Sequence, residues 1–541
     1  MLQGYNEQRK NSFVSIGIVV IMVMIVAVWV SPLLWAGEDS HKLLVSEKDQ
    51  VLDKDHGGGA IVTDKVGHDE AGHGEASAGD HRNPEGYKTP PLWAVIPFVT
   101  LLLCIAILPL IKKTEHWWEM NRNRLFISLS LSVFVIIYYW LIHSGVIDHD
   151  TKQLLSGVLA VNRVLSHAVL AEYIPFIVLL FSLYVISGGI QLKGDLPAHP
   201  ITNTVFLAVG AVIASFIGTT GAAMLLIRPL LQTNRERKHV KHTVIFFIFL
   251  VCNVGGCLLP IGDPPLFLGY LKGVPFLWTL NLWPQWLAVV LILLAIYYIW
   301  DSIAYRKEAI VDIRRDEGEV RKLQLRGKVN FLWLLGVVLS VGLLIPNKPF
   351  LGKEGWPIVP DFFREIMQLL FVAISLMTTP DGIRKENKFN YAAIGEVAAL
   401  FIGIFICMQV PVEILNAKGP NLGLTKPWHF FWATGALSSF LDNAPTYVVF
   451  FETAKTLGGA DQVAHIAQEL LVAISMGSVF MGANTYIGNG PNFMVKSIAE
   501  QSGIKMPSFF GYMAYSITIL MPIFILITLV LNYLVGHWHL V

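Results

Sequence analysis

The chain has 541 residues, 54% of them hydrophobic and 15% charged, with 40 Lys and Arg against 39 Asp and Glu. So apolar a chain is not one soluble globule and belongs in a bilayer. A formal net charge of +1 leaves neither the basic field of a nucleic-acid binder nor an acidic solvating tail, so partners must be argued from sites.

Residues 1–37 carry Arg9 and Lys10 and then an apolar run, 13–36, of about 24 residues against the roughly 20 that span a bilayer. Two readings stay open: an anchor helix, which the length favours, and a cleaved signal peptide, for which Trp35-Ala36-Gly37 offers small residues. Residues 38–90 form a polar, Gly-rich extracytoplasmic linker that cannot bury a core, with His41, His56, His68, His73 and His81 among many acidic residues. His68 and His73 are its candidate metal ligands, but no fixed ligand geometry is encoded and a tether is the favoured reading.

The remainder divides into a first repeat at 91–305, a basic loop at 306–328 and a second repeat at 329–541. Apolar runs of spanning length occur at 92–111, 125–142, 173–190 and 286–305, and again at 331–345, 362–378, 392–410 and 512–535. The segments 201–231 and 430–454 are interrupted centrally by Gly218-Thr219-Thr220 and by Asp442-Asn443-Ala444-Pro445. Each is predicted to be a helical hairpin that turns inside the membrane. Gly- and Pro-broken stretches follow at 256–265 and 482–491. The interruptions repeat: Phe216 and Phe440 lie 224 residues apart, and Ile261 and Ile487 lie 226 apart. Paired breaks at matching places in two halves mark a transporter with its site between inverted repeats. The fold class expected is therefore an all-α polytopic membrane protein of two inverted repeats, each with a re-entrant hairpin and a broken transmembrane helix.

Loop charge supplies the orientation. Basic clusters at 112–124, 235–241, 306–328 and 384–388 are cytoplasmic by the positive-inside rule. The first hairpin then enters from the cytoplasm and the second from outside, and the four breaks should meet near the midplane. Glu172 and Glu396, again 224 residues apart, are read as opening matching helices. They are either a gate or proton relay, or acidic residues favourable at helix starts; the second reading is the simpler.

Broken helices expose backbone groups that persist in hydrocarbon only where they line a cavity or bind something. Thr219, Thr220, Asn253, Asn443, Asn484, Thr485 and Asn489 add neutral oxygen ligands there. Asp263 and Asp442 are the carboxylates of this zone, and a charge at the bilayer centre costs about 2.5 to 3.5 kcal/mol, so such residues are functional by default. For Asp263, ahead of Pro264-Pro265, capping of the next helix is an equal alternative. Asp442, inside an otherwise apolar run, is the stronger candidate. Arg228 and Lys496 are read as snorkelling or pairing near interfaces. Cys104, Cys252, Cys257 and Cys407 lie in apolar runs and read as packing residues.

Residues 438–446 around Asp442-Asn443, Asn253-Val254-Gly255-Gly256 with the Ile261-to-Pro265 stretch, and residues 484–492 resemble the motifs of the ion transporter superfamily. The likeness is closest to its NhaD-type sodium/proton antiporters and related citrate transporters, and runs from about Leu92 to the C-terminus. It implies an inverted-repeat secondary transporter of the inner membrane, a homodimer with an elevator-like movement, needing no cofactor beyond transported Na⁺ and H⁺. Carboxylate transporters of the superfamily carry Ser-Asn-Thr at both hairpin tips, from which Gly218-Thr219-Thr220 and Asp442-Asn443-Ala444 depart. A fixed Asp repels an anionic cargo unless protonated or neutralised, so the chain favours a cation or a neutral solute over citrate. Arsenite-pump-type members of the superfamily share Leu-Asp-Asn, so a neutral oxyacid stays open beside the function the resemblance implies, export of Na⁺, or Li⁺, in exchange for H⁺. The alternatives are a Na⁺- or H⁺-coupled citrate or dicarboxylate transporter, and a metal-handling membrane protein using the His-rich segment. No nucleotide loop, zinc-protease motif or serine elbow points to an enzyme.

Overall fold

A computed structural model describes residues 87–147, 153–380, 382–458 and 462–534. The expectations at His68 and His73 and for the first helix lie outside these residues. Six helices among the described residues are long and apolar enough to cross a membrane. The protein is an all-α polytopic membrane protein.

In chain order, α1 (Ile96–Ile107) and α2 (Asn121–Ile137) precede α3 (Val158–Leu165), which runs through a π-helical segment into α4 (Ile174–Ser187). The first hairpin is α5 (Pro200–Ile217) and α6 (Thr219–Thr233), parted by Gly218 alone at φ +79°, a left-handed value that glycine adopts without strain. Then α7 (Lys241–Leu250) breaks, α8 (Pro264–Leu271) resumes, and α9 (Trp283–Tyr305) closes the first half. After α10 (Ile310–Gly318), the second half brings α11 (Val329–Leu343), α12 (Phe363–Thr378) and α13 (Ala392–Lys418). Its hairpin is α14 (Pro427–Ser438) and α15 (Asn443–Lys455); α16 (Gln468–Met481) and α17 (Gly490–Gln501) flank its break, and α18 (Phe509–Leu534) ends the described chain. Each half thus runs helix, hairpin, broken helix, long helix.

One expectation needs correction. Glu172 does not open a helix: the helical run starts at Val158, and Glu172 lies in its middle, within the π-helical segment Ser166–Tyr173. The apolar run that begins at Tyr173 marks where burial becomes continuous, not where the helix starts. Glu396 does sit in the first turns of α13.

The basic loops are tied to one another. The strands β1 (Gln191–Asp195) and β2 (Arg321–Arg326) pair antiparallel, and Glu386 accepts from Lys193 at 3.1 Å and Arg326 at 3.0 Å. Arg326, Lys193 and Gln191 together hold the Glu386 carboxyl down to about 2. Arg235 reaches Glu319 at 2.8 Å, Arg124 reaches Glu396 at 3.0 Å, and Asn121 donates to the Ala392 carbonyl. Three of the basic clusters, 235–241, 306–328 and 384–388, are thus linked through these contacts, and 112–124 is tied to the first turns of α13. At the far end of the same helix pair, His143 and Tyr139 bond to Glu413 at 2.9 Å, so α2 and α13 are fastened at both ends.

Candidate functional site

Asp263 occupies the point where the four breaks converge. Its Oδ1 accepts from Thr219 Oγ1 at 3.2 Å and from Asn489 Nδ2 at 3.1 Å, and its Oδ2 from Asn443 Nδ2 at 2.6 Å. The first hairpin tip, both broken helices and the second hairpin tip each supply one side chain. All four are buried, Asp263 with 1% of its surface exposed.

The repeat explains the convergence. Thr219 and Asn443 lie 224 residues apart and Asp263 and Asn489 lie 226 apart, so the cluster is two pairs of equivalent positions. The surrounding hydrogen bonds repeat as well. Ser215 Oγ donates to the Gly255 carbonyl and accepts from Leu258 N at 3.1 Å. Ser439 Oγ has the Gly435 carbonyl at 2.7 Å and the Met481 carbonyl at 3.2 Å as acceptors, and it accepts from Asn484 Nδ2 at 2.8 Å. Both breaks are closed by backbone crossing at glycine: a Cβ on Gly262 would strike the Gly256 carbonyl oxygen, and one on Gly488 that of Gly482.

Two more of the expected residues, Asn253 and Thr485, are bonded around this cluster. Asn253 Nδ2 donates to Ile248 O and Asn492 Oδ1, both at 2.8 Å, and Asn492 donates onward to the Gly482 and Thr485 carbonyls. Thr485 Oγ1 donates to Ser439 O and accepts from Gly488 N at 3.1 Å. Thr220 is half-buried and is not among the groups bonded to Asp263. Ser215, Ser439 and Asn492 were missed by sequence reasoning, although their fixed offset within the repeat was a usable signal.

The two aspartates differ from expectation in their local bonds. Asp442 is the residue that caps: its Oδ1 accepts from Ala444 N at 3.1 Å at the start of α15. Asp263 stands at the cap position of α8, yet its side chain bonds across the fold instead. Neither aspartate forms an ion pair among the described residues. Two buried amide oxygens, Asn443 Oδ1 and Asn484 Oδ1, have no hydrogen-bond partner among them either. Such orphans are costly in a low-dielectric interior and suit a cation ligand.

This arrangement suits a family of transporters. Residues 87–532 match the family model CitMHS_2, described as "Putative citrate transport". The chain belongs to that family. As a member it is a secondary transporter. A search of curated proteins finds no match.

Elsewhere, Glu172 and Glu396 do not meet. Glu172 is buried against Lys272 at 2.8 Å and Gln409 at 3.1 Å, whereas Glu396 pairs with Arg124. Lys496 pairs with Glu500 at 3.0 Å beside Tyr486 and Phe493. Among the described residues no cluster of three His, Cys, Asp or Glu could hold a metal ion, and all four cysteines are free.

Proposed function

We propose that Asp263, with Asp442, binds Na⁺ (or Li⁺) and H⁺ in alternation, so that the transporter exports the cation in exchange for protons. The observation that carries this reading is the makeup of the cluster: a buried carboxylate among neutral hydroxyl and amide groups, with orphaned amide oxygens and, among the described residues, no basic partner. Hard cations take oxygen ligands, and a carboxylate in such a site must hold either a proton or a cation to remain neutral. Nothing bonded to Asp263 offsets the charge of a tricarboxylate.

A second reading is favoured by the family description, which backs it more directly than it backs antiport. The same cluster would then hold the coupling Na⁺ or H⁺ of a citrate transporter. The two readings share the cation site and differ in cargo.

Everted vesicles from an antiporter-deficient strain, carrying a pH-sensitive dye, separate them when Na⁺, Li⁺, K⁺ and citrate are added in turn. We expect dequenching by Na⁺ or Li⁺, absent in Asp263→Asn and in Asp442→Asn. The latter substitution removes the charge while keeping a good cap residue. Cation silence in well-expressed protein, together with citrate-dependent uptake, would transfer the assignment to the second reading. Exchange at wild-type rate in both variants would remove the aspartates from the mechanism.

A further inference from the structure

A cavity of about 620 Å³, to whose lining no residue of the Asp263 cluster contributes, lies at the C-terminal ends of α6 and α17. That volume is within the range of small-molecule sites, roughly 300–1,000 Å³. Its charge is one-sided: among the described residues the lining contains seven Lys and Arg and no Asp or Glu. Three of the bases are already partnered by carboxylates outside the lining. Arg237 pairs with Asp301 at 2.6 Å, Arg235 with Glu236 at 2.7 Å and Glu319 at 2.8 Å, and Lys238 with Asp312 at 3.2 Å.

The other four, Arg228, Lys241, Lys388 and Lys505, have no ion-pair partner among the described residues. They come from four separate stretches of chain, the end of α6, the start of α7, the loop after residue 386 and the segment beyond α17. Gathering like charges from distant sequence positions is unfavourable unless an anion offsets them. Arg228 is half-buried, so solvent screens it less than it would an exposed residue. The lining of the cavity draws on the basic clusters 235–241 and 384–388, which the positive-inside rule assigns to the cytoplasmic side, where a headgroup of an anionic lipid or a cytoplasmic anion would meet it.

We propose that this cavity is a binding site for a phosphoryl oxyanion, carried either by an anionic lipid headgroup or by free phosphate. An Arg fork and several Lys ammoniums suit phosphoryl oxygens, whether those of a singly charged headgroup phosphodiester or of the more highly charged free phosphate. The site is distinct from the Asp263 cluster but mechanically linked to it. The helix α6 begins at Thr219, which bonds Asp263, and α17 follows directly on Asn489, which also does. An anion held at their far ends would fix these two helices against each other.

The test uses the purified full chain and two probes. Inorganic phosphate is titrated at constant ionic strength while thermal unfolding is followed, and retention of phosphatidylglycerol over phosphatidylcholine is read by native mass spectrometry. Lys388→Gln/Lys505→Gln alters only exposed residues and is compared with Arg321→Gln/Lys322→Gln, an equal loss of charge from β2 outside the lining. We expect stabilisation by phosphate, selective retention of phosphatidylglycerol, or both, weakened at least about tenfold in the first variant and under about twofold in the second. A response to phosphate alone assigns the free ion and lipid retention alone assigns the headgroup, each supporting the site. No response to either probe, or equal loss in both variants, overturns it.

Discussion

Asn443 Nδ2 meets Asp263 Oδ2 at 2.6 Å, whereas Thr219 Oγ1 and Asn489 Nδ2 share Oδ1 at 3.2 and 3.1 Å. Oδ2 thus depends on a single short donor and Oδ1 on two longer ones. Hydrogen bonds to charged groups contribute about 1.5–3 kcal/mol, and losing the only donor to a buried oxygen sits toward the upper end. On the proposed cation reading, Asn443→Ala should raise the apparent KM for Na⁺ or Li⁺ by about tenfold or more, and Thr219→Val by clearly less, when both are measured by dye dequenching over a cation series. Equal effects would mean that bond geometry at Asp263 does not set affinity. The residue types of this cluster were legible in the sequence because uncharged oxygen donors and Asp are costly in an apolar run. The division of labour was not: capping by Asp442 and cross-fold bonding by Asp263 depend on backbone direction at each break, which composition does not encode.

The hairpins and broken helices were legible as elements because Gly and Pro punctuate them, and the repeat gave their pairing. What could not be read was how tightly they pack. A Cβ on Gly435 in α14 would strike the Met481 side chain, and one on Gly477 in α16 would lie 2.6 Å from the Phe431 carbonyl oxygen. Backbone cannot retreat as a flexible side chain can, so Gly477→Ala is expected to destabilise by about 1–3 kcal/mol. Gly318, at the end of α10, has open space where its Cβ would be. Gly318→Ala is expected to be neutral or to stabilise by about 0.4–1 kcal/mol through the unfolded chain. Thermal unfolding of the purified proteins checks the pair; comparable melting temperatures would show that α14 and α16 can separate at no cost. The π-helical segment through Glu172 was equally hidden, since nothing in 166–173 interrupts an α-helical pattern.

Across the whole molecule, the two halves are joined by a buried ionic bridge as well as by the Asp263 cluster. Lys272, just past the end of α8 in the first half, reaches Glu172 at 2.8 Å and Glu452 of α15 in the second half at 2.9 Å. Gln409 of α13 adds a bond to Glu172 at 3.1 Å, while His167 stands 3.9 Å from Glu172 and Lys455 4.0 Å from Glu452. Sequence alone singled out Glu172 but misplaced it in its helix and missed its partner, because Lys272 lies 100 residues on and reads as an ordinary loop lysine. One ammonium thus serves two carboxylates whose side chains are 6% and 5% exposed. Removing one member of a buried ionic group costs about 3–5 kcal/mol because charge is left uncompensated, whereas replacing all members by neutral groups of similar volume is often near neutral. Lys272→Met should therefore lower the melting temperature sharply. The triple variant Glu172→Gln/Lys272→Met/Glu452→Gln should recover most of the loss, since its remaining amides no longer need the cation. If Lys272→Met melts with the wild type, the bridge does not hold the halves together. If the triple variant is as unstable as the single one, packing around the Lys272 stem, not charge, is what the position supplies.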